Sequence, residues 1–137
     1  MNISFTREQK ELLNLNIIAI VSVISPKGFP YLTPIWFVEE FDKIYFSTTL
    51  TRTKGKFLKQ NNNIGLNITH PDGGPYVSLV GKANIRTKDE FSDYEQIVRK
   101  IFDRYDKTSE KEIMIRQNLN NKDRILVEIQ PTRIFGQ

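Results

Sequence analysis

The chain has 137 residues, a formal net charge of +4, 26% charged residues and no cysteine. The lack of cysteine excludes disulfides, thiolate metal ligands and a cysteine nucleophile, and the length and charge are typical of one globular domain, here residues 1–137. The longest apolar run, residues 17–24, is too short to span a bilayer. Charged residues 7–11 stand where a secretory signal would need an apolar core. We therefore expect a soluble cytoplasmic protein with no membrane partner.

Strand and turn signals alternate in the first half of the sequence. A short helix over residues 6–14 opens with the capping-box pattern Thr6-x-x-Gln9. Three β-branched and aromatic runs follow and predict an antiparallel meander. They cover residues 17–24, 31–38 and 44–48. Because Pro34 has no N–H to donate to a ladder, we expect a sheet edge, a bulge or a ligand-facing break there.

The second half adds three strand runs and two helical patterns. Gly81 predicts a bulge or a close backbone approach. Apolar residues at helical spacing predict a helix between Phe91 and Tyr105, and Ser109-x-x-Glu112 predicts a second capping box that opens another helix. The strand runs cover residues 64–69, 76–85 and 124–130. About six mainly antiparallel strands with small helices suggest a closed or partly closed barrel.

A basic segment follows the third strand run. No acidic residue occurs between Asp42 and Asp72. This window holds the cations Lys43, Arg52, Lys54, Lys56 and Lys59. The segment reads as a short helix over residues 52–60, with Thr51 as its N-cap. Lys54 then occupies the third helical position, where a capping box would have Glu or Gln, so cations cluster at a helix end that is already positive.

Two interpretations of the basic segment remain open from the residues alone. A bound phosphate would neutralise the cations and accept hydrogen bonds from the free N–H groups of the first helical turn. Alternatively, the segment is a solvated basic helix whose long side chains extend into water. One basic helix is a narrow footprint for nucleic acid, so we expect no nucleic-acid partner.

No other pattern in the sequence predicts chemistry by itself. His70, the only histidine, lies in a loop rich in proline and glycine without an adjacent partner, which favours a solvated loop residue. The carboxylates are dispersed, no P-loop or GxGxxG motif occurs, and no metal site is predicted. Catalytic residues cannot be assigned. A protein without its own reactive groups commonly obtains them from a cofactor.

The order of several short motifs resembles the pyridoxamine 5'-phosphate oxidase-like split barrels over nearly the whole chain. The motifs are residues 20–37, residues 44–48, Arg52-x-Lys54 and residues 61–66. The resemblance implies a six-stranded split β-barrel of the FMN-binding type, mainly β with small helices. It also implies a homodimer that binds FMN, or alternatively a deazaflavin coenzyme, in two grooves at the subunit interface.

The resemblance further implies a set of cofactor-binding residues. Arg52 and Lys54 would hold the cofactor phosphate, and Ser47 and Thr48 would add hydroxyl contacts from the end of the third strand. The edge of the ring would lie against Pro34, Ile35 and Trp36.

The sequence differs in two places from the family members that oxidise vitamin B6. Members that oxidise vitamin B6 have adjacent Arg-Lys, whereas Thr53 here separates Arg52 from Lys54, and residues 131–137 lack the segment bearing Trp and Arg that binds the vitamin phosphate. The chain is more similar to the subgroup described as deazaflavin-dependent reductases. We therefore expect a flavin- or deazaflavin-dependent oxidoreductase that transfers a hydride to or from a small conjugated substrate. The alternative is a non-catalytic flavin or haem carrier, with His70 as an axial ligand.

Overall fold

A computed structural model describes residues 3–136, which form seven strands and four short helices. The predicted mainly β fold with small helices is confirmed, with one strand more than expected. The helices are α1 (Arg7–Leu13), α2 (Thr53–Gln60), α3 (Tyr94–Tyr105) and α4 (Lys111–Asn120). The strands are β1 (Ala19–Ile24), β2 (Pro30–Ile35), β3 (Val38–Glu40), β4 (Lys43–Thr49), β5 (Asn63–Thr69), β6 (Tyr76–Arg86) and β7 (Arg124–Gly136).

The strands form one antiparallel sheet in the order β2-β1-β5-β6-β7-β4-β3, which curls into a split barrel. The predicted meander of the first three runs is therefore wrong beyond its first pair. β1 does pair with β2, but β4 pairs with β3 and with β7. β2 and β3 end up at opposite edges of the sheet, so the chain crosses the opening of the barrel between them.

The extra strand arises at Trp36 and Phe37, where the run predicted over residues 31–38 divides into β2 and β3. Phe37 is fully buried, and its carbonyl accepts a hydrogen bond of 2.7 Å from Arg104 instead of a strand partner. Pro34 lies in β2, which is an edge strand, as its missing N–H predicted.

The main core fills the inside of the curled sheet, and a second core covers part of its outer face. α1 and α2 contribute Leu13 and Leu58 to the main core. Side chains on β4 alternate between the two: Phe46 belongs to the main core and Tyr45 to the second, which packs beneath α3 and α4. The buried members of the second core are Val38, Tyr45, Tyr94, Ile97, Val98, Ile101, Ile115 and Leu126.

The helix N-termini differ in how they are capped. The capping box at Thr6 is confirmed, because its hydroxyl accepts from the Gln9 N–H at 3.2 Å and the Gln9 side chain accepts from the Thr6 N–H at 2.8 Å. The predicted N-cap at Thr51 is wrong. α2 begins at Thr53, one residue later than predicted, and Arg52 occupies the N-cap position without a side-chain hydrogen bond. The Thr51 hydroxyl lies 3.2 Å from that of Thr49.

The predicted capping box at Ser109 is also wrong. The N-cap of α4 is Glu110, which makes no side-chain capping bond. Glu112, which would have reached back to the Ser109 N–H, instead pairs with Arg99 on α3 at 3.0 Å. The Glu112 side chain, which the capping box requires, is thus engaged in an ion pair between two helices.

The bulge predicted at Gly81 is confirmed by a register shift between Val80 and Gly81 in the β6–β7 pairing. A Cβ atom at Gly81 would lie 2.2 Å from the carbonyl oxygen of Gln130, so this close approach requires glycine. The strand predicted to end at residue 130 continues through Pro131, which lies opposite the bulge.

Candidate phosphate-binding groove

One open groove of about 490 Å³ collects most of the site residues predicted from the sequence. Its volume lies in the range of roughly 300–1,000 Å³ that is usual for small-molecule sites. The predicted residues that line it are Pro34, Ile35, Trp36, Ser47, Arg52 and Lys54. The end of β2, the outer face of β4 and the start of α2 thus converge on one concave surface.

Thr48 is the predicted site residue that does not line this groove. It is only 3% exposed, and successive side chains of a strand point to opposite faces. Ser47 therefore faces outward, toward the groove and α4, while Thr48 is on the same side of β4 as Phe46 in the main core.

The turn between β4 and α2 places the two predicted cations at the groove. The Arg52 N–H donates to the Thr49 hydroxyl at 3.2 Å, which closes the turn immediately after β4. Gly55 then lets α2 approach the strand end, because a Cβ atom there would lie 2.1 Å from the Thr49 carbonyl oxygen. Arg52 and Lys54 are consequently held beside Ser47 on the last residues of β4.

A third cation, Arg124, also lines the groove and was not predicted. Burial lowers the pKa of Lys54 below its usual value, and the charges of Arg52 and Arg124 lower it further. Burial and the charge of Arg52 likewise lower the pKa of Arg124. Among residues 3–136, no carboxylate lies within 4 Å of any of the three cations. The groove therefore carries concentrated positive charge that the described protein does not neutralise.

Asp106 is the one carboxylate that lines the groove, and its contacts are local. Its Oδ1 atom accepts from the Thr108 N–H at 2.9 Å and from the Thr108 hydroxyl at 2.7 Å. These bonds lower the pKa of Asp106, so it is ionised near neutral pH and is not a proton donor there. The groove is thus lined by one anion and three cations, and no ion pair joins them among residues 3–136.

Ser47 connects the cations to α4. Its hydroxyl oxygen accepts from the Asn118 amide at 3.1 Å and from the Arg124 guanidinium at 3.4 Å. With both acceptor positions occupied, the Ser47 hydroxyl proton remains available to donate. Neither Asn118 nor Arg124 carries a local sequence signal, because each reaches Ser47 only through the packing of α4 and the pairing of β4 with β7.

Trp36 and Phe102 also line the groove and form an aromatic wall with Tyr105. The Trp36 ring stacks on Tyr105, with centroids 5.3 Å apart and an interplanar angle of 8°, and Phe102 meets it edge-on at 6.0 Å. Arg104 donates to the Phe37 carbonyl, and the Tyr105 hydroxyl donates to the Ile17 carbonyl at 2.7 Å. The C-terminal turn of α3 therefore fixes the chain next to Trp36, whose side chain stays 43% exposed.

The remaining basic and metal-ligating candidates lie elsewhere. Lys56 and Lys59 are exposed on α2 and do not line the groove. His70 borders a different pocket, near α1, and its Nδ1 atom accepts from the Asp72 N–H at 3.1 Å. Within residues 3–136, no group of three His, Asp or Glu side chains is placed to hold a metal ion. None of the helices over these residues is both long and apolar enough to cross a bilayer.

Comparison with known proteins places this geometry in a family. The profile described as pyridoxamine 5'-phosphate oxidase matches residues 5–137. No curated protein matches the sequence.

Several solved structures share the fold. A conserved hypothetical protein from Mycobacterium tuberculosis has 23% sequence identity and a TM-score of 0.81, over 98% of this chain and 86% of that one. An F420 reductase has 21% identity and a TM-score of 0.75, over 97% of this chain and 100% of that one. HupZ from Group A Streptococcus has 21% identity and a TM-score of 0.73, over 96% and 93% of the two chains.

Proposed function

The chain belongs to the pyridoxamine 5'-phosphate oxidase family, and we propose that it is a flavin- or deazaflavin-dependent oxidoreductase that transfers a hydride to or from a small conjugated substrate. The observation that carries this proposal is the unneutralised cluster of Arg52, Lys54 and Arg124 beside an aromatic wall in one groove. FMN combines a phosphate dianion with a flat ring, and a deazaflavin coenzyme joins a similar ring to a phosphate group. The cation cluster and the aromatic wall match these two chemical features.

The three cations and Ser47 would bind the phosphate. Arg52, Lys54 and Arg124 supply positive charge and N–H donors, and Ser47 has a free hydroxyl proton to add. Burial and neighbouring cations disfavour the charged forms of Lys54 and Arg124. A bound dianion would stabilise these charged forms, because its attraction offsets the repulsion among the cations.

The aromatic side would bind the ring. Pro34, Ile35 and Trp36 lie at the end of β2 and line the groove. Because β2 ends at Ile35, the backbone of Trp36 is outside the strand pairing. Trp36 and Phe102 cover the groove with apolar surface and would exclude water from the reacting face. The bound flavin or deazaflavin would supply the hydride-transfer chemistry itself.

We propose a homodimer in which the partner subunit completes each groove. On the outer face of β1, β2 and β6, Ile20 (39%), Leu32 (60%) and Val80 (47%) are exposed around a shallow concave surface. A contiguous apolar surface of this kind is characteristic of a protein interface. Sedimentation at micromolar concentration should give a dimer. A monomer that still binds its cofactor tightly would exclude a shared site.

The proposed function is tested by titrating the wild-type protein with FMN and with the deazaflavin coenzyme side by side. We expect saturable binding of at least one, with shifted absorbance bands and quenched flavin fluorescence because Trp36 lies in the groove. Trp36→Phe is the matched control, since it keeps an aromatic ring but should quench less. Binding of neither cofactor, or a Soret band from bound haem, would contradict the proposal.

A further inference from the structure

Asn118 on α4 is a buried polar residue whose side-chain oxygen has no hydrogen-bond partner among the described residues. The residue is 7% exposed and lines the groove. Its Nδ2 atom donates to the Ser47 hydroxyl oxygen at 3.1 Å. Its Oδ1 atom is buried and accepts no hydrogen bond from any residue between 3 and 136. Native proteins rarely leave a buried amide oxygen without a donor, so this atom indicates a missing partner.

The described protein groups beside Asn118 do not supply a donor to its oxygen. Ser47 accepts from both Asn118 and Arg124, and its hydroxyl proton makes no bond to the Asn118 oxygen. Arg52 and Lys54 are donors only, and neither makes a hydrogen bond to Asn118. A ligand with an anionic group alone would satisfy the cations but would leave the Asn118 oxygen unpaired.

The position of Asn118 indicates which part of a ligand it meets. Ser47 joins Asn118 to Arg124 through a single oxygen atom, so Asn118 lies at the phosphate end of the groove. The ring-edge residues Pro34 and Ile35 line the same groove but come from β2 and not from the β4–β7 pair. Because Asn118 shares Ser47 with Arg124, we expect its missing donor to belong to the part of the ligand next to the phosphate.

We propose that Asn118 is a specificity-determining residue that accepts a hydrogen bond from a hydroxyl group next to the phosphate, so that the groove selects a polyol phosphate. Arg124 acts with it as the third phosphate-binding cation. This inference rests on the proposed function, since it names the ligand feature that the same groove recognises. It adds an acceptor beside three cations that can only donate.

The test compares FMN with a flavin whose ribityl phosphate is replaced by a phosphopentyl chain, which keeps ring and phosphate but has no hydroxyls. Wild-type protein should bind FMN about tenfold more tightly than this analogue. Asn118→Leu, of similar size but without the acceptor, should weaken FMN binding about tenfold and leave the affinity for the analogue nearly unchanged. Gln117→Leu, an exposed neighbour on α4, is the matched control and should change neither affinity.

The outcomes separate the inference from the proposed function. Equal affinity of the wild-type protein for both ligands would overturn the role of Asn118 while leaving the phosphate site intact, and this measurement needs no variant to fold. Equal weakening of both ligands by Asn118→Leu would reduce Asn118 to a structural residue. Binding of neither ligand by the wild-type protein would overturn the proposed function and this inference with it.

Discussion

Two polar clusters lie on the outer face of the β4–β7 pair, and they differ in whether their charges are paired within the protein. Tyr45 lies opposite Glu128, and Thr49 lies opposite Arg124, so the clusters are about 13 Å apart along the strands. Glu128 is 2% exposed and accepts from Tyr45 at 2.7 Å and from Arg86 at 2.8 Å. Arg124 belongs to the cation cluster of the groove, where no carboxylate among residues 3–136 comes within 4 Å.

The pKa directions of the two clusters express the same difference. Burial alone would raise the pKa of Glu128, but its bonds to Arg86 and Tyr45 outweigh burial and lower it. The surroundings of Glu128 thus favour its charged form. The pKa of Lys54 is lowered by burial and by neighbouring cations, so its surroundings oppose its charge. The charge of Glu128 is paired within the described protein, whereas we propose that an anionic ligand pairs with the cations of the groove.

The largest expected effect is on the Glu128 cluster. Glu128→Leu removes the acceptor shared by Tyr45 and Arg86, and we expect it to lower the free energy of unfolding by roughly 2–4 kcal/mol, less than for a fully buried pair because Arg86 can be rehydrated. FMN affinity should not change. Urea denaturation and fluorescence titration provide the two measurements.

Tyr45→Phe is the control for Glu128→Leu, because it removes one hydrogen bond and keeps the carboxylate. It should lower the free energy of unfolding by about 1 kcal/mol.

The lowered pKa of Glu128 also predicts a pH dependence of stability. The stabilisation by Glu128 is present above the ordinary carboxyl pKa and is lost as the pH falls through the folded-state value. Unchanged or increased stability of Glu128→Leu would show that this cluster is not the stabilising one.

The next effect tests the close approach of α2 to β4. Alanine favours helix over glycine by up to about 1 kcal/mol, but a Cβ atom at Gly55 would meet the Thr49 carbonyl oxygen at 2.1 Å. We expect Gly55→Ala to lower the free energy of unfolding by roughly 1–3 kcal/mol and to weaken FMN binding, because Lys54 moves with the helix. Lys59→Ala on the same helix should change stability by less than about 0.5 kcal/mol. A stabilised Gly55→Ala would contradict this geometry.

The smallest effect is a pH dependence of opposite sign for folding and binding. Because the pKa of Lys54 is lowered in the folded protein, the unfolded chain binds more protons between that value and the ordinary lysine pKa, so stability without ligand rises with pH in this window. FMN affinity should fall over the same window as Lys54 loses its charge. Lys54→Arg stays charged over this window, so the part of each trend that comes from Lys54 should disappear. Tyrosines titrate equally in the wild-type protein and the variant, so their contribution cancels when the two profiles are compared. Parallel profiles for the two proteins would exclude Lys54 as the titrating group.

The sequence predicts the structural features that depend on residues close to one another along the chain. The Thr6 capping box, the Gly81 bulge and the edge position of Pro34 follow from local chemistry and are confirmed. The cap at Ser109 fails because a tertiary ion pair with Arg99 engages Glu112. The cap at Thr51 fails because α2 begins only at Thr53, with Arg52 at the N-cap position.

The cluster at the groove shows the same limit. Arg52 and Lys54 stand out in the sequence because the surrounding window has no acid. Arg124 and Asn118 cannot be found in this way, since only the β4–β7 register and the packing of α4 bring them to Ser47. The assignment of Ser47 and Thr48 together overlooked strand alternation, which directs one side chain to the groove and the other away from it.

The most direct measurement compares FMN with riboflavin, which has the ring but no phosphate, in the wild-type protein and three variants. If Arg52 and Lys54 hold the phosphate, Arg52→Ala and Lys54→Ala should each cost about 1.5–3 kcal/mol of FMN binding, or roughly tenfold to a hundredfold in affinity, and should barely affect riboflavin. Lys59→Ala, exposed on the same helix, should leave both affinities unchanged. Equal weakening by all three substitutions, for riboflavin as well as FMN, would show that the basic segment acts as a diffuse field and does not bind the phosphate.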